Sequence, residues 1–163
     1  MKVYKEENEK QEVCFYFEGD LDENFRNDVQ NILENLESNI ELHLGKLTTI
    51  DNSGQNHWIE FIHSIPGSIH FSLSHCPPNF IDRLNLSPAI LGRGQLTSSY
   101  IPLICGACEH SQNILIDDFS HLKIKNVQSH IDNTRCEKCQ KEHFSSVVDL
   151  HKYFDFTTGD KLD

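Results

Sequence analysis

Residues 40–61 read IELHLGKLTTIDNSGQNHWIEF, a strand pattern followed directly by the pattern of a capped helix. Positions 40, 42 and 44 are apolar and alternate with polar residues, so a strand would place all three on one face. The run Asp51-Asn52-Ser53-Gly54 is rich in residues that favour the N-cap of a helix. Apolar residues then recur near helical spacing until Pro66-Gly67, which ends the pattern. The stretch therefore predicts a buried strand joined by a short turn to an amphipathic helix.

The same alternation of strand and helix patterns extends in both directions from this stretch. Upstream, residues 2–5 and 12–18 have strand patterns, and residues 23–38 carry their apolar side chains on one helical face. Downstream, residues 69–73 alternate as a strand, and a helix pattern over 79–86 follows a pair of prolines. The predicted order is β-β-α-β-α-β-α. It makes the fold class α/β, with a sheet covered by helices.

Two Cys-x-x-Cys pairs stand in the remaining part of the chain, at Cys105, Cys108, Cys136 and Cys139. Two residues between cysteines let a tight turn aim both thiolates at one point, and two such turns supply four tetrahedral ligands for Zn²⁺. The 27 residues between the pairs exceed the roughly 15–20 of the commonest spacing, and they predict a β-hairpin with a polar tip. Two local disulfides, or one redox-active pair beside an accidental second one, are the alternatives. We expect one structural zinc ion per chain.

The run Leu91-Gly92-Arg93-Gly94-Gln95 marks a predicted boundary between an α/β domain over residues 1–92 and a small zinc-binding domain over residues 93–163. Short strands at 99–104, 113–116 and 122–124 make the second domain β-rich. Apolar residues within 144–156 are expected to cover the metal module or to dock it onto the first domain. So small a unit buries little surface unaided, and we expect the metal to supply much of its folding free energy.

Composition excludes several classes of protein. No apolar run approaches the roughly 20 residues of a membrane span, and the charged N-terminal segment lacks the apolar core of a secretory signal. We therefore expect a cytoplasmic protein, without membrane insertion, whose six cysteines stay reduced. The net charge is −11, and the positive residues of the second domain are scattered. Because phosphate neutralisation needs a basic patch, we expect no nucleic-acid binding.

No catalytic constellation accompanies the cysteines. Four cysteine ligands leave no open position on the metal, whereas catalytic zinc keeps one for water or substrate. The motifs His-Glu-x-x-His, Gly-x-Ser-x-Gly and the P-loop do not occur in the sequence. His110 and His143 stand close enough to the pairs to replace a cysteine ligand, and Cys14 and Cys76 are expected as buried free thiols. The sequence thus predicts a protein that is not an enzyme.

Residues 40–61 and their surroundings resemble the STAS domain, the fold of bacterial anti-sigma-factor antagonists. In that family a buried strand is followed by an Asp-Ser-Ser-Gly or Asp-Ser-Ala-Gly turn that caps a helix. The resemblance implies a protein partner, a regulator or a kinase-like anti-sigma factor, bound through Asp51, Asn52, Ser53 and Gly54. The family is phosphorylated at the residue after the motif aspartate. Here that residue is Asn52, which accepts no phosphate, so the resemblance implies that the phospho-switch is lost.

The C-terminal part resembles a zinc ribbon, in which two knuckles hold one ion. Together the two resemblances predict a bacterial-type, non-enzymatic signalling or scaffold protein. An alternative from another class is a nucleic-acid or transcription-machinery module that uses the first domain for oligomerisation. A third is a small-molecule sensor that uses a pocket of the α/β domain.

Overall fold

The computed structural model describes residues 1–7, 13–33, 36, 38–117, 119 and 123–157. The strands among these residues are, in chain order, β1 Lys2–Glu7, β2 Val13–Leu21, β3 Ile40–Ile50, β4 Phe71–Ser74, β5 Gln95–Leu96, β6 Ser99–Cys105, β7 Ser111–Ile116 and β8 Phe144–Ser146. The helices are α1 Phe25–Leu33, α2 Asn52–Ser64, α3 Pro78–Leu86, α4 Ile124–Asp132 and α5 Leu150–Tyr153, with 3-10 turns at Pro88–Ile90 and Asp155–Thr157.

A five-stranded sheet in the order β1-β2-β3-β4-β5 forms the first layer. Strand β1 is antiparallel to β2, and the other neighbours are parallel. The element order from β1 to α3 is the predicted one, and the α/β fold class is confirmed. The helix predicted over 23–38 is observed as the shorter α1; residues 36 and 38 are not helical, and residues 34, 35 and 37 lie outside the described residues. Strand β3 is longer than predicted because it contains a bulge, an extra residue between His43 and Lys46 that returns Leu47 to the buried face.

One face of this sheet carries the core. Trp58 of α2 is fully buried and packs against aromatic rings of β2, α1 and α3, with ring centroids 5.6 Å from Phe17, 5.7 Å from Phe25 and 5.6 Å from Phe80. The indole Nε1 donates a hydrogen bond of 2.9 Å to the carbonyl of Ile90, so its polar atom is satisfied. Each such side chain removed from water contributes about 1.5–3 kcal/mol. The apolar stripes of the three helices thus converge on this face of the sheet.

A second, antiparallel sheet in the order β7-β6-β8 follows. The predicted hairpin between the cysteine pairs is wrong, because β7 pairs with β6 and the later part of the insert forms α4. The strand predicted at 122–124 is also not observed, since Ile124 begins the helix and residue 122 lies outside the described residues. The physical reason is helical spacing: Ile124, Val127 and Ile131 are three and four residues apart, and the last two are buried in the core.

The two sheets share one extended run of backbone, residues 95–105. Its first part, β5, is the edge of the first sheet, and its second part, β6, is the centre of the second. Between them the amide of Cys76 donates to Ser98 and the amide of Tyr100 donates to Cys76. Residues 95 and 96 lie beyond the predicted boundary at residue 92 yet still pair with β4. The division into domains 1–92 and 93–163 stays a prediction.

The C-terminal segment docks on α3, as its apolar residues predicted. The Asn85 amide donates hydrogen bonds to the carbonyls of Lys152 and Tyr153 at 3.3 and 3.1 Å, and its oxygen accepts one from the Phe156 amide at 3.2 Å. The Tyr153 hydroxyl donates a 2.6 Å hydrogen bond to the Tyr100 carbonyl in β6. Phe154 is fully buried in the same apolar cluster as the first-sheet core. One continuous core therefore joins both sheets.

Among the residues described, none of the helices has both the length and the apolar character needed to cross a bilayer.

Candidate metal centre

The four predicted ligand cysteines come together at one end of the second sheet. Cys105 is the last residue of β6, and the turn that follows carries Cys108. Cys136 and Cys139 lie on a second turn between α4 and β8. The four Sγ atoms lie within 4.8 Å of one another. The prediction that these four residues form one cluster is confirmed.

Both turns have the same backbone geometry. In the first, the amide of Cys105 donates to the His110 carbonyl and the amide of Glu109 donates back to Cys105, at 2.9 and 2.8 Å. In the second, the amide of Cys136 donates to the Lys141 carbonyl and the amide of Gln140 donates back to Cys136, at 3.1 and 2.8 Å. The chain repeats one knuckle twice, and each knuckle presents two sulfurs toward the other.

Each knuckle closes on a residue in the left-handed region, immediately after its second cysteine. Glu109 has a φ of 57° and Gln140 a φ of 62°. Non-glycine residues adopt this region uncommonly and at some cost in free energy. The left-handed residue stands at the same position in both knuckles, so the two turns share this feature of backbone conformation.

The sulfur separations fit a tetrahedral metal ion and not disulfides. The Sγ atoms of Cys105 and Cys139 are 3.6 Å apart, as are those of Cys108 and Cys136. A disulfide bond is about 2.05 Å long, and all four cysteines are free thiols. A regular tetrahedron with metal–sulfur bonds of about 2.3 Å has edges of about 3.8 Å. The observed separations are close to that edge length.

The protonation of the thiols also points to a cation. Burial opposes ionisation of Cys105, but the amides of Ala107 and Cys108 and the neighbouring thiols outweigh it and lower its pKa to about 7. At Cys108 the His110 amide favours ionisation, but burial and hydrogen bonds with three cysteine thiols raise the pKa to about 12. The Cys105 thiolate therefore forms readily, and Cys108 resists ionising beside it. A bound divalent cation removes that repulsion and takes the place of the protons.

The ligand set is closed, and it is buried on one side. Cys105 and Cys136 are fully buried, whereas Cys108 and Cys139 are half-buried. Four cysteine sulfurs complete a tetrahedron, so the arrangement leaves no position for water or substrate on the metal. Soft thiolate donors of this kind select zinc, copper(I) or iron over magnesium and calcium. The four cysteines are thus arranged to hold one metal ion of this kind.

Side chains around the knuckles hold them together. Gln112 ties β7 to the second knuckle, because its amide nitrogen donates to the Arg135 carbonyl at 3.3 Å and its oxygen accepts from the Glu137 amide at 3.0 Å. The Arg135 guanidinium donates to Glu142 at 2.8 Å across the second knuckle. Sequence reasoning missed Gln112, since a glutamine on a strand carries no signal of its own.

The two histidines near the cysteine pairs and the two remaining cysteines lie outside the cluster. Neither His110 nor His143 belongs to the group of ligand atoms within 4.8 Å. Cys14 and Cys76 are buried free thiols, as predicted. Burial raises the pKa of Cys14 to about 11 and that of Cys76 well above its usual value, so both stay protonated. Their protonation differs from that of Cys105, as expected for residues outside a metal site.

The predicted partner loop, residues 51–54, has a structural role at two of its four positions. Asp51 is the N-cap of α2, and its carboxylate accepts a 2.7 Å hydrogen bond from the Gly54 amide. Gly54 lies against the end of β2: an alanine Cβ there would stand 2.0 Å from the carbonyl oxygen of Leu21. The Asp51 amide also donates to Leu21, at 3.1 Å. Asp51 and Gly54, three residues apart, therefore attach the start of α2 to the end of β2.

The two middle positions of the loop, Asn52 and Ser53, are exposed. Arg83 of α3 donates to the Asn52 oxygen at 2.8 Å, to the Gln55 oxygen at 3.0 Å and to the Ile50 carbonyl at 2.9 Å. These contacts hold the end of β3 and the first turn of α2 in one conformation. Sequence reasoning missed Arg83, because it lies 31 residues from Asn52 and no local pattern links the two.

Comparison with models of known protein families and with curated proteins finds no match to this chain.

Proposed function

We propose that this chain is a non-enzymatic signalling or scaffold protein. Its STAS-like domain binds a protein partner through the loop 51–54, and one zinc ion has a purely structural role in the C-terminal module. The observation that carries the proposal is the pairing of a closed four-cysteine cluster with a loop that two neighbouring elements hold rigid.

The loop is suited to recognition because its exposed part is held in one conformation before binding. Asp51 and Gly54 fix its ends, and Arg83 fixes Asn52. A partner that contacts Asn52 and Ser53 therefore orders little chain on binding, which lowers the entropic cost of association. Exposed residues on a connecting segment that a rigid scaffold holds in place often take part in binding.

The loop carries no phosphate acceptor at the second position of its motif. The Asn52 side chain is an amide, and its oxygen already accepts a hydrogen bond from Arg83. In this proposal the loop therefore binds its partner without prior phosphorylation. The amount of partner available then determines how much complex forms. Ser53 is the remaining hydroxyl of the loop.

The metal is zinc in this proposal. Four thiolates in a tetrahedron suit its preference for sulfur and its lack of redox chemistry. Zinc would hold the second sheet and α4 together, because the knuckles follow β6 and α4 directly. The nucleic-acid alternative has weaker support, since Arg135 beside the knuckles is already paired with Glu142.

Affinity purification with two matched variants tests the loop. Ser53→Arg places a long cation on the exposed loop, and Ser68→Arg places the same side chain on an exposed residue after α2. We expect a protein that co-purifies with the wild type and with Ser68→Arg to be lost from Ser53→Arg, at equal folding by circular dichroism. Identical recovery with all three chains would contradict the loop assignment.

A further inference from the structure

The four sulfurs of the cysteine cluster differ in their access to solvent, in the same order in both knuckles. Cys105 and Cys136, the first cysteine of each knuckle, are fully buried. Cys108 and Cys139, the second cysteine of each, are half-buried. A small oxidant in solution therefore reaches the second cysteine of each knuckle before the first.

The short contacts between sulfurs pair each accessible cysteine with a buried one. Sγ of Cys139 lies 3.6 Å from Sγ of Cys105, and Sγ of Cys108 lies 3.6 Å from Sγ of Cys136. Both contacts cross from one knuckle to the other. Redox-sensitive cysteines are accessible and often stand next to a second, resolving thiol. Each of the two sulfur pairs has this arrangement.

We propose that the cysteine cluster is a peroxide-sensitive site that releases its metal ion when the thiolates are oxidised. The products are two disulfides, Cys105–Cys139 and Cys108–Cys136, which link the knuckles in place of the ion. This release rests on the zinc ion of the proposed function, and it adds the condition under which that ion leaves. The oxidant is a hydroperoxide, of which hydrogen peroxide is the simplest probe.

Each sulfur pair reduces one peroxide molecule in two displacement steps. The thiolate of the accessible cysteine, Cys139 in the first pair, attacks a peroxide oxygen; the O–O bond breaks, and the sulfur becomes a sulfenic acid. The Cys105 thiolate then attacks that sulfur, so that an S–S bond forms and the S–O bond breaks. Each step expels a hydroxide ion, which takes a proton from solvent and becomes water. Two electrons pass from the two sulfurs to the peroxide.

The second pair reacts in the same way, with Cys108 attacked and Cys136 resolving. In total the four thiolates, two peroxide molecules and four protons give two disulfides and four water molecules. Metal binding requires the thiolate, and a disulfide sulfur carries no negative charge. Oxidation of the first pair leaves two of the four ligands that structural zinc takes, so the ion is released.

Backbone contacts hold the knuckles against each other independently of a metal. The Gly106 amide in the first knuckle donates a 2.8 Å hydrogen bond to the carbonyl of His143, which follows the second knuckle. The approach is close, because a Cβ at Gly106 would stand 2.5 Å from Cδ2 of the His143 ring. The sulfurs of each pair need to approach by only about 1.5 Å, from 3.6 Å to the roughly 2.05 Å of a disulfide. The fold therefore favours disulfides between the knuckles.

The two cysteines outside the cluster are protected from the same reaction. Cys14 has 3% of its surface exposed and Cys76 has 0%, and neither belongs to the group of ligand atoms. Thiol–disulfide exchange requires access of the attacking thiolate to the sulfur. We therefore expect the oxidised chain to keep both as free thiols.

Zinc release from the full chain tests the proposal. The chain is purified under reducing conditions, the reductant is removed, and the zinc content is measured before a roughly twentyfold molar excess of hydrogen peroxide is added. A coloured zinc indicator should then report the loss of about one zinc per chain, and dithiothreitol with added zinc should restore it. A chain that holds zinc and keeps it under peroxide, or a release that dithiothreitol does not reverse, would overturn this proposal alone. A chain without zinc at the start would contradict the metal assignment as well.

Disulfide mapping of the peroxide-treated chain tests the pairing. Trypsin cuts after Lys138 and so places the two cysteines of the second knuckle on separate peptides. Disulfides between the knuckles should link both of these to the peptide that carries the first knuckle, and fragmentation of the linked species assigns each partner. Local disulfides, Cys105–Cys108 and Cys136–Cys139, would overturn the proposed pairing.

Cys14→Ser is the matched control, because it removes a cysteine that lies outside the cluster. It should lose as much zinc under peroxide as the wild type. A Cys14→Ser chain that keeps its zinc would overturn the proposal, since the attacked thiol would then be Cys14.

Discussion

Replacing Gly54 with alanine should destabilise the protein, although the same change stabilises an ordinary helix. In α2, an alanine Cβ at this position would lie 2.0 Å from the Leu21 carbonyl oxygen and 2.2 Å from its carbon. These are backbone atoms of β2, and they cannot rotate away. The first turn of α2 would have to move off the sheet by more than 1 Å to reach ordinary contact, roughly 3.4 Å or more.

The sign of the change in unfolding free energy tests whether Gly54 is needed for close contact between α2 and β2. Helix propensity favours alanine over glycine by about 0.8–1.0 kcal/mol. Overpacking against rigid neighbours costs about 1–3 kcal/mol and occasionally more. The displacement would also weaken the hydrogen bond between the Asp51 amide and Leu21 and loosen the contacts of Trp58. We expect a net loss of about 2–3 kcal/mol in the free energy of unfolding.

Urea denaturation followed by tryptophan fluorescence measures this directly, because Trp58 is the single tryptophan and is fully buried beside the motif. Gly67→Ala is the matched control, since its Cβ would meet nothing within 4 Å. The control should be neutral or stabilising by up to about 1 kcal/mol. A Gly54→Ala chain as stable as the wild type would refute the argument that glycine is needed for close helix–strand contact.

Three further outcomes follow from the same contacts. Stability should fall as the pH drops from about 6.5, where unfolded histidine titrates, toward about 4, the pKa of half-buried His43. With solvent screening we expect a loss of about 1–2 kcal/mol. Urea melts at several pH values should find this loss reduced in His43→Asn and unchanged in His70→Asn. Arg83→Met should cost about 1–2 kcal/mol by removing the hydrogen bonds that hold the loop, and a melt equal to that of the wild type would contradict it. Cys136→Ser should reduce the metal content and cost roughly 3 kcal/mol or more, whereas Cys14→Ser should keep the metal.

The parts of the fold that sequence predicted are those with strong local periodicity. The alternation at residues 40–44 and the Asp51 cap predicted β3 and α2, and the structure has both. The insert between the cysteine pairs was misread. Val127 and Ile131 carry a helical period, but the short apolar run that ends at Ile124 favoured a strand. Short apolar runs fit either structure, and here packing against the second sheet decided for the helix.

The metal ligands were predictable because the chemistry constrains their spacing so tightly. Two residues between cysteines are enough to form a knuckle, and both knuckles are found. The groups that support the site and the loop were not predictable, since they act across long sequence separations. Gln112 bonds residues 23 and 25 positions away, and Arg83 bonds residues 28 to 33 positions away. Only the folded chain brings them together.

A row of neighbouring aromatic rings on the first sheet illustrates a third limit; its members are Tyr4, Tyr16, His43, His75 and Tyr100. Each of its members has an ordinary place in its own segment, and histidines next to a strand are commonly solvated. The row exists because the register of three strands and the turn after β4 align five rings from five parts of the chain. Sequence periodicity predicts the face of a strand but not its neighbours across the sheet.

Elemental analysis of the purified full chain under reducing conditions tests the central claim most directly. The claim is that Cys105, Cys108, Cys136 and Cys139 hold one structural zinc ion. The account predicts about one zinc per chain, in the stoichiometry that a closed four-thiolate site takes up. A chain that is well folded, free of metal and oxidised at these cysteines would contradict it.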